Sequence, residues 1–367
     1  MKKIIQVFSS VKIAVVCLFL LFVLTFWGTV AQVQQGLYVA QERFFHSFFF
    51  LAAGFIPFPG AQLVLWVLFF NLLAAGYSHF IKLRHWRSTG LKITHVGLLL
   101  YFAAAFITFH VTQESNLRLE EGESSNVSSS YQEWELAYWQ DKGTTHHVTA
   151  IDVKNPKPNQ VLNLSEVTAT VEQFYANCTA FTKTLPADGI RLRNDSGITL
   201  LQPKDLLKER EKNIAGGIFK IQTKQGPIKV LLYGADPQPT HIALNGKTYY
   251  FSLRHKRYPL PFTLKLDEFK VEFHPGTQTA KSYESYVTVI QPEATRQVHI
   301  FMNNPLRDKD YTFYQASYDI DAQGRQYSTL AVVKNAGRVL PYVACFAVFF
   351  GLMTHFLIMA FENRLKR

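Results

Sequence analysis

Hydrophobic positions are concentrated in four long runs, three near the start of the chain and one near its end. The runs cover about Val11–Val30, Gln62–Ile81, Leu91–Val111 and Val339–Phe361. Because a helix needs ~20 mostly apolar residues to cross a bilayer, each run predicts a membrane-spanning helix. The predicted fold class is therefore a membrane protein with four transmembrane α-helices, in which a large domain separates the third helix from the fourth.

The residues of that domain are mostly polar and alternate in the way that is typical of β-strands. Val167, Ala169 and Val171 alternate with polar neighbours, and Asn245–Gly246 marks a β-hairpin turn. Short alternating stretches separated by turn residues predict an all-β domain, either an antiparallel sandwich or an open barrel. The other predicted strands are Ile218–Thr223, Ile228–Tyr233, His241–Leu244, Lys247–Leu253, Thr263–His274, Ser285–Gln291 and Val298–Met302, while Pro203–Asn213 is predicted as a short helix or a charged linker.

Basic residues next to the spans predict the orientation of the chain. Lysine and arginine precede the first span, crowd the 82–92 loop and follow the last span, whereas the 31–61 loop carries only Glu42 and Arg43 as charged residues. Lysine and arginine accumulate on the cytoplasmic side, so both termini are predicted to be cytoplasmic and the β domain to lie outside. A cleaved signal peptide, cut near Ala31, is the alternative interpretation of the first span.

The predicted domain organisation follows from this pattern. It consists of a three-helix transmembrane region at 1–111, an external β-rich domain at 112–336, and the fourth helix with a basic tail at 337–367. Much of the net charge of +11 lies next to the spans. Attraction to anionic lipid explains this charge more simply than nucleic-acid binding does, and no nucleic-acid partner is predicted.

The three cysteines limit the redox chemistry that the chain can perform. Of Cys17, Cys178 and Cys345, only Cys178 lies in the predicted β domain, so that domain has no internal disulfide. The sequence has no Cys-x-x-Cys pair, which excludes a thioredoxin-type reductant and covalently attached haem. A lone thiol in a predicted strand is most often a small buried hydrophobe, and we expect Cys178 to be one.

Four histidines in the predicted spans are the first candidates for chemistry, because ionisable side chains inside a membrane are costly and mark function. His95 lies about one turn into the third span from its cytoplasmic end, and His110 lies ~22 Å further along the same helix. His79 lies at the inner end of the second span, and His355 lies at a depth similar to that of His95. A neutral imidazole is a good ligand for haem iron.

Basic residues near the predicted cytoplasmic ends of the spans could contact the propionates of such a haem. Those candidates are Lys92, Arg87 and Arg84. Alternatively, each histidine only hydrogen-bonds a neighbouring helix, and this alternative is strongest for His79, which can reach the interface.

His95 is the strongest candidate of the four. Gly90 and Gly97 lie about two turns apart on one face of its helix. Small residues in that pattern permit the close approach of another helix or of a flat ligand.

Short sequences throughout the chain resemble, in order, those of the ResB family, which is also called CcsB. They are Gly28–Gln32, Gly36–Tyr38 with Phe44–Phe45, Pro59–Gly60, His95–Leu98, Leu119–Glu123, Glu272–Thr277, Met302–Leu306, Tyr314–Asp319, and Gly337–Arg338 with Pro341–Tyr342. The resemblance implies one subunit of the system II cytochrome c synthetase, a haem lyase in the bacterial inner membrane whose large domain is periplasmic.

The resemblance also implies partners and roles. With a CcsA-type multi-span membrane protein, the chain would bind or convey haem b, held transiently and non-covalently, and support its attachment to apocytochrome c. His95 matches the transmembrane histidine that ligates haem iron in the family, and the second axial ligand is expected from the partner. A thiol-reducing thioredoxin-like protein is a further expected partner. The chain itself would be a non-catalytic or co-catalytic subunit without a catalytic residue.

Two other function classes remain open. The chain could be a haem-independent membrane scaffold whose outer β domain docks the partner or the apocytochrome. It could also be a transport subunit, but transporters place broken helices or paired charges at the membrane midplane. Apart from the histidines, the predicted spans carry no acidic or basic residue near the midplane, which disfavours transport.

Overall fold

The computed structural model of the protein describes residues 7–82, 86–140, 147–164, 167–182, 192–223, 226–244 and 246–365. The chain divides into two compact units. The first contains Met1–Gln113, Asp308–Thr312 and Val333–Arg367, and the second contains Glu114–Arg307 and Phe313–Val332.

Four long helices form the first unit. They are α1 (Val11–Gln35), α2 (Ala61–Lys82), α3 (Thr89–Val111) and α4 (Leu340–Leu365). A short helix at Leu37–Ala40, a π-helix at Gln41–Phe45, a hairpin of β1 (Phe49–Ala52) and β2 (Ile56–Pro59), and a 3₁₀ turn at Trp86–Ser88 complete it. Ser10 begins α1 by accepting a hydrogen bond from the backbone N–H of Lys12, an N-cap that satisfies a helix-end donor.

Three of the helices are long and apolar enough to cross a membrane, as far as the described residues extend. They are Val11–Gln35, Trp86–Val111 and Leu340–Arg364, so three of the four predicted spans are confirmed as helices of spanning length. The predicted second span is helical as well, but its apolar part is the shorter segment Ala61–Tyr77. Crossing by α2 and the orientation of the chain therefore stay predictions.

Glycines bring the backbones of α3 and α4 into direct contact. A Cβ at Gly97 would lie 2.7 Å from the backbone nitrogen of Val348, and a Cβ at Gly351 would lie 2.5 Å from that of Thr94. Gly90 meets the backbone of His355 in the same way, so the two helices run antiparallel. The small residues predicted to admit a close neighbour thus admit helix α4 rather than a flat ligand.

The second unit is built almost entirely from strands, which confirms the predicted β-rich domain. Its strands, some of which extend a few residues into the first unit, are β3 (Gln113–Glu120), β4 (Ser124–Gln140), β5 (Val148–Asp152), β6 (Val161–Leu164), β7 (Val167–Tyr175), β8 (Cys178–Phe181), β9 (Leu200–Pro203), β10 (Gly216–Ile221), β11 (Ile228–Tyr233), β12 (Thr240–Leu244), β13 (Lys247–Phe273), β14 (Ala280–Ile290), β15 (Thr295–Ile300), β16 (Leu306–Asp308), β17 (Tyr311–Ile320) and β18 (Gln326–Lys334).

The strands form one large sheet and two smaller ones. The large sheet has the order β15-β14-β13-β4-β3-β18-β17-β16, with β12 paired to β13 and β5 paired to β4. A four-stranded sheet has the order β11-β10-β7-β6, and β8 pairs with β9. Leu136 and Phe251 of the large sheet share one buried core with Phe219 and Val230 of the four-stranded sheet. Burial of this shared apolar surface holds the sheets together.

Two sequence predictions in this domain differ from the structure. The stretches Lys247–Leu253 and Thr263–His274 belong to one continuous strand, β13. Pro259 lies where its register with β4 shifts, which is a position that tolerates the missing N–H of a proline. The segment Pro203–Asn213 is mostly irregular and contains only a 3₁₀ turn at Arg210–Lys212.

Replacing Gly97 by valine should destabilise the helical unit. The new side chain would overlap the backbone at Val348, which cannot move aside, and overpacking of this kind costs about 1–3 kcal/mol. The free energy of unfolding in detergent micelles measures the effect. Gly76→Ala is the matched control, because no described atom outside its local helix lies within 4 Å of the new methyl group. An equal loss of unfolding free energy in both variants would contradict the close contact between α3 and α4.

Candidate functional site

His95 lies in α3, and a hydrogen bond to the backbone of the same helix holds one edge of its imidazole ring. Its Nδ1 lies 2.9 Å from the backbone oxygen of Leu91, one turn earlier. A carbonyl oxygen can only accept a hydrogen bond, so Nδ1 carries the proton and donates it. In the neutral ring the lone pair is then on Nε2, which is the form that binds a metal.

The ring lies on the side of α3 that faces α2. With 3.6 residues per turn, His95 shares a face with Phe102 and Phe106, well away from Gly97. Phe102 packs on Phe69 of α2 at a ring-centroid distance of 5.8 Å, and Phe106 packs on Trp66 at 5.9 Å. Helix α4 therefore covers one face of α3, and the histidine lies on another.

Gly76 of α2 lies at the level of this histidine. The Nζ of Lys92 lies 5.9 Å from the ring centroid of Phe80. Along α3, His95 lies between this contact and the contact of Phe102 with Phe69. Because α2 and α3 run antiparallel, these contacts bring Gly76 to the level of His95. Among the described residues outside its local helix, no atom lies within 4 Å of where a Cβ at Gly76 would be.

The donor set on this side of α3 is of the kind that haem uses. Haem iron takes one or two imidazole ligands, of which His95 could supply one, and its macrocycle takes an apolar surface. No group of three or more histidine, cysteine or acidic residues in the described part of the chain could hold a bare metal ion.

The other predicted histidines differ from His95 in their surroundings. His110 makes the same bond, from Nδ1 to the oxygen of Phe106 at 2.9 Å, but its ring is exposed at the other end of α3. The Nδ1 of His355 is buried and has no hydrogen-bond partner among the described residues. His79 lies within α2, but its side chain is outside the part that the structure describes.

The three residues predicted to contact the propionates also differ in their surroundings. Lys92 lies on the His95 side of α3, next to Phe80. Arg87 instead forms an ion pair with Glu362 of α4 through its Nε, at 2.5 Å. Arg84 is outside the described residues. Of the three predicted residues, Lys92 lies on the same side of α3 as His95. In the described part of the chain it forms no ion pair with an acidic side chain.

Gly76 is the residue that sequence reasoning missed. Glycine in a helix interior costs about 1 kcal/mol relative to alanine, so a lone glycine in an apolar run is a signal for a packing or functional reason. The interpretation of that signal needs the neighbouring helix, because only the contacts of α2 with α3 place Gly76 at the level of His95.

Cys178 is buried in the second unit, as the sequence analysis expected. It is 3% exposed, packs with Leu201 and Leu231, and its Sγ occupies the space where Gly216 would carry a Cβ. Burial raises the pKa of this thiol to about 11, although nearby Lys204 opposes the shift. The thiolate is the reactive form of cysteine, so Cys178 is chemically inert at neutral pH.

The thiol of Cys178 should react slowly with iodoacetamide at pH 8 in a chain that carries Cys17→Ala and Cys345→Ala. A rise in pKa from 9.0 to about 11 lowers the thiolate fraction roughly a hundredfold, and burial slows the reaction further. Mass spectrometry of folded and guanidinium-unfolded protein gives the two rates. Equal rates in the two states would show that the thiol is accessible and ionised in the fold.

Comparison with known proteins gives two matches. The model of the ResB-like family matches residues 244–325, a segment that contains Glu272–Thr277 and Tyr314–Asp319. Protein NrfI of Wolinella succinogenes is 25% identical over 300 residues, which cover 81% of this chain and 30% of that protein. The chain thus spans less than a third of the length of this curated relative. The two matches confirm the resemblance of this chain to the ResB-like family.

Proposed function

We propose that this chain acts in cytochrome c biogenesis by holding haem b in the membrane with His95 as an axial ligand. The confirmed family resemblance supports the general role. The specific role depends on one observation, which is that the bond from Nδ1 of His95 to the oxygen of Leu91 puts the lone pair on Nε2, on the side of α3 that faces α2. In this proposal haem is cargo that the chain binds and passes on.

The residues of the chain bind and orient the haem. The bond from Nδ1 of His95 to the oxygen of Leu91 fixes the tautomer and the direction of the ring, and Nε2 is the nitrogen that would ligate the iron. Lys92 supplies a positive charge on the same side for a propionate. The apolar walls of α2 and α3 keep water away from the iron.

A second polypeptide completes this site in the proposal. Helix α4 already occupies the glycine face of α3, so the macrocycle must extend outward past α2 and α3. Leu98 and Tyr101 of α3 are 36% and 48% exposed and give a surface for a neighbouring helix. We assign the second axial ligand and the remaining cover to a CcsA-type multi-span partner.

The second unit carries protein contacts rather than bond-forming chemistry in this proposal. Its thiol is buried with a raised pKa, so Cys178 does not take part in thioether formation. The unit would dock the partner or present apocytochrome c in the periplasm, while a thioredoxin-like protein keeps the apocytochrome thiols reduced. Thioether formation then depends on proximity and orientation, which the assembled complex supplies.

Replacing His95 by alanine should remove most of the haem. In a complex purified with the partner, loss of one axial ligand should lower haem per complex by at least about tenfold, as read from the Soret band. Added imidazole should restore part of it by filling the vacated position. His110→Ala is the matched control, because that ring makes the same backbone bond on the same helix but is exposed. Unchanged haem in His95→Ala would favour the haem-independent scaffold.

A bulky side chain at Gly76 should lower haem content. In the proposal the macrocycle lies beside α2 at the level of His95, so Gly76→Phe should displace it while His95 remains in place. Gly76→Ala adds one methyl group and should retain haem. Haem content and the free energy of unfolding are measured on both variants. A Gly76→Phe complex with full haem and normal stability would show that the haem lies elsewhere.

A further inference from the structure

The β1–β2 hairpin carries an exposed apolar surface. Residues 47–59 contain no charged side chain, and Ser47 is the only polar one among them. Phe49, Leu51 and Phe55 are 62%, 54% and 73% exposed. An apolar patch of this kind marks a contact with another protein or with a membrane. The hairpin therefore meets a partner that the described part of the chain does not supply.

The opposite face of the hairpin is fixed on α1. The ring of Phe50 is buried, with its centroid 5.6 Å from that of Trp27, and the ring of Phe58 lies 5.7 Å from the same indole. Arg43 donates a hydrogen bond from Nη2 to the backbone oxygen of Leu51 at 2.7 Å. Because these contacts lie within the chain, the hairpin has its shape before any partner binds.

The pairing of the two strands turns both prolines of β2 towards the free edge of that strand. The N–H of Gly60 donates to the oxygen of Phe48 at 2.8 Å, so these two residues form a hydrogen-bonded pair. Such pairs alternate along an antiparallel ladder, so Pro57 and Pro59 lie between them and direct their backbone nitrogens outward. Proline carries no N–H, and the free edge of β2 therefore presents no donor.

This edge and these side chains favour lipid over a protein partner. A strand of another protein cannot extend the sheet at β2, because the prolines offer no N–H for a new ladder. Helices that pack together in a membrane meet through small residues, whereas the exposed residues Phe49, Leu51 and Phe55 are bulky. Bulky apolar side chains beside an edge without donors suit the acyl chains of lipids.

The other edge of the hairpin sets its depth in the membrane. By the same alternation, the N–H groups of Phe49 and Leu51 point to the free edge of β1. The hydrocarbon core offers no acceptor for such groups, but water and headgroup oxygens at the membrane surface do. The hairpin thus fits the interfacial layer, where acyl chains and headgroups meet.

The neighbouring helix brings the hairpin to that layer. Helix α1 is long and apolar enough to cross a membrane. Trp27 lies about two turns before its end at Gln35, which is ~12 Å along the axis. Aromatic side chains gather near the ends of spanning helices, at the membrane interface. Phe26 and Val30 of α1 are also exposed, so the apolar surface of the hairpin continues that of the helix.

We propose that the β1–β2 hairpin inserts into the lipid interface beside α1. Phe49, Leu51 and Phe55 lie among the acyl chains, and the free edge of β1 faces water and headgroups. The hairpin leads directly into α2 at Ala61, so its insertion sets the depth at which that helix begins. This proposal does not depend on the haem role of His95.

Nitroxide labels at Phe49→Cys and Phe55→Cys test the insertion in a full-length chain that also carries Cys17→Ala and Cys345→Ala. The chain is reconstituted into vesicles of phosphatidylethanolamine and phosphatidylglycerol. Power saturation then measures how often each label collides with oxygen, which dissolves in lipid, and with nickel(II) ethylenediaminediacetate, which stays in water. The ratio of oxygen to nickel accessibility reports the depth of the label.

Two further labels supply the references for this ratio. Phe349→Cys is exposed on α4, a helix of spanning length, and gives the value for lipid. Thr277→Cys is exposed in the turn between β13 and β14 and gives the value for water. Both hairpin labels should give ratios well above that of Thr277→Cys and close to that of Phe349→Cys. The measurement is repeated on the complex purified with the CcsA-type partner, where the ratios should not change.

Either hairpin position can decide the outcome. Phe49 and Phe55 are exposed, so cysteine at these positions should leave the fold intact, and one label suffices if the other variant folds poorly. A ratio as low as that of Thr277→Cys would place the hairpin in water and overturn the proposal. Low accessibility to both reagents, in the chain alone or in the complex, would show that protein covers the hairpin and would overturn its assignment to lipid.

Discussion

The direct backbone contact between α3 and α4 determines how the helical unit can work. Gly90 and Gly97 of α3 and Gly351 of α4 leave no room for side chains at this contact. Close packing of this kind stabilises helices in a membrane, where burial of apolar surface gives no net gain. Because α4 takes the whole glycine face, every ligand of α3 must approach from another side. His95 lies on such a side, towards α2.

The bond from a histidine ring to its own helix does not by itself indicate function. His95 and His110 make the same bond to the carbonyl one turn earlier, at the same 2.9 Å. They differ in surroundings, since His110 is exposed at a helix end, whereas His95 is partly buried on the side of α3 that faces α2. In the proposal, the same fixed tautomer serves for ligation at His95 and only satisfies the ring at His110.

Local patterns in the sequence predict the elements well, and contacts between elements decide the rest. The predicted strand Ile228–Tyr233 is β11 with the same bounds, because the alternation of its side chains and the turn before it are local features of the sequence. The length of β13 could not be predicted, since only pairing with β4 and β14 carries a strand past its prolines. Likewise, the sequence marks His95, but its orientation and the role of Gly76 depend on which helices pack on α3.

Magnetic resonance of the haem in a reconstituted complex tests the central claim most directly. The chain is labelled with ¹⁵N-histidine, and the partner is left unlabelled. If His95 is one axial ligand and the partner gives the other, the iron should show hyperfine coupling to one ¹⁵N imidazole, and this coupling should disappear in His95→Ala. An absence of ¹⁵N coupling in the wild-type complex, or a coupling that survives in His95→Ala, would contradict the account.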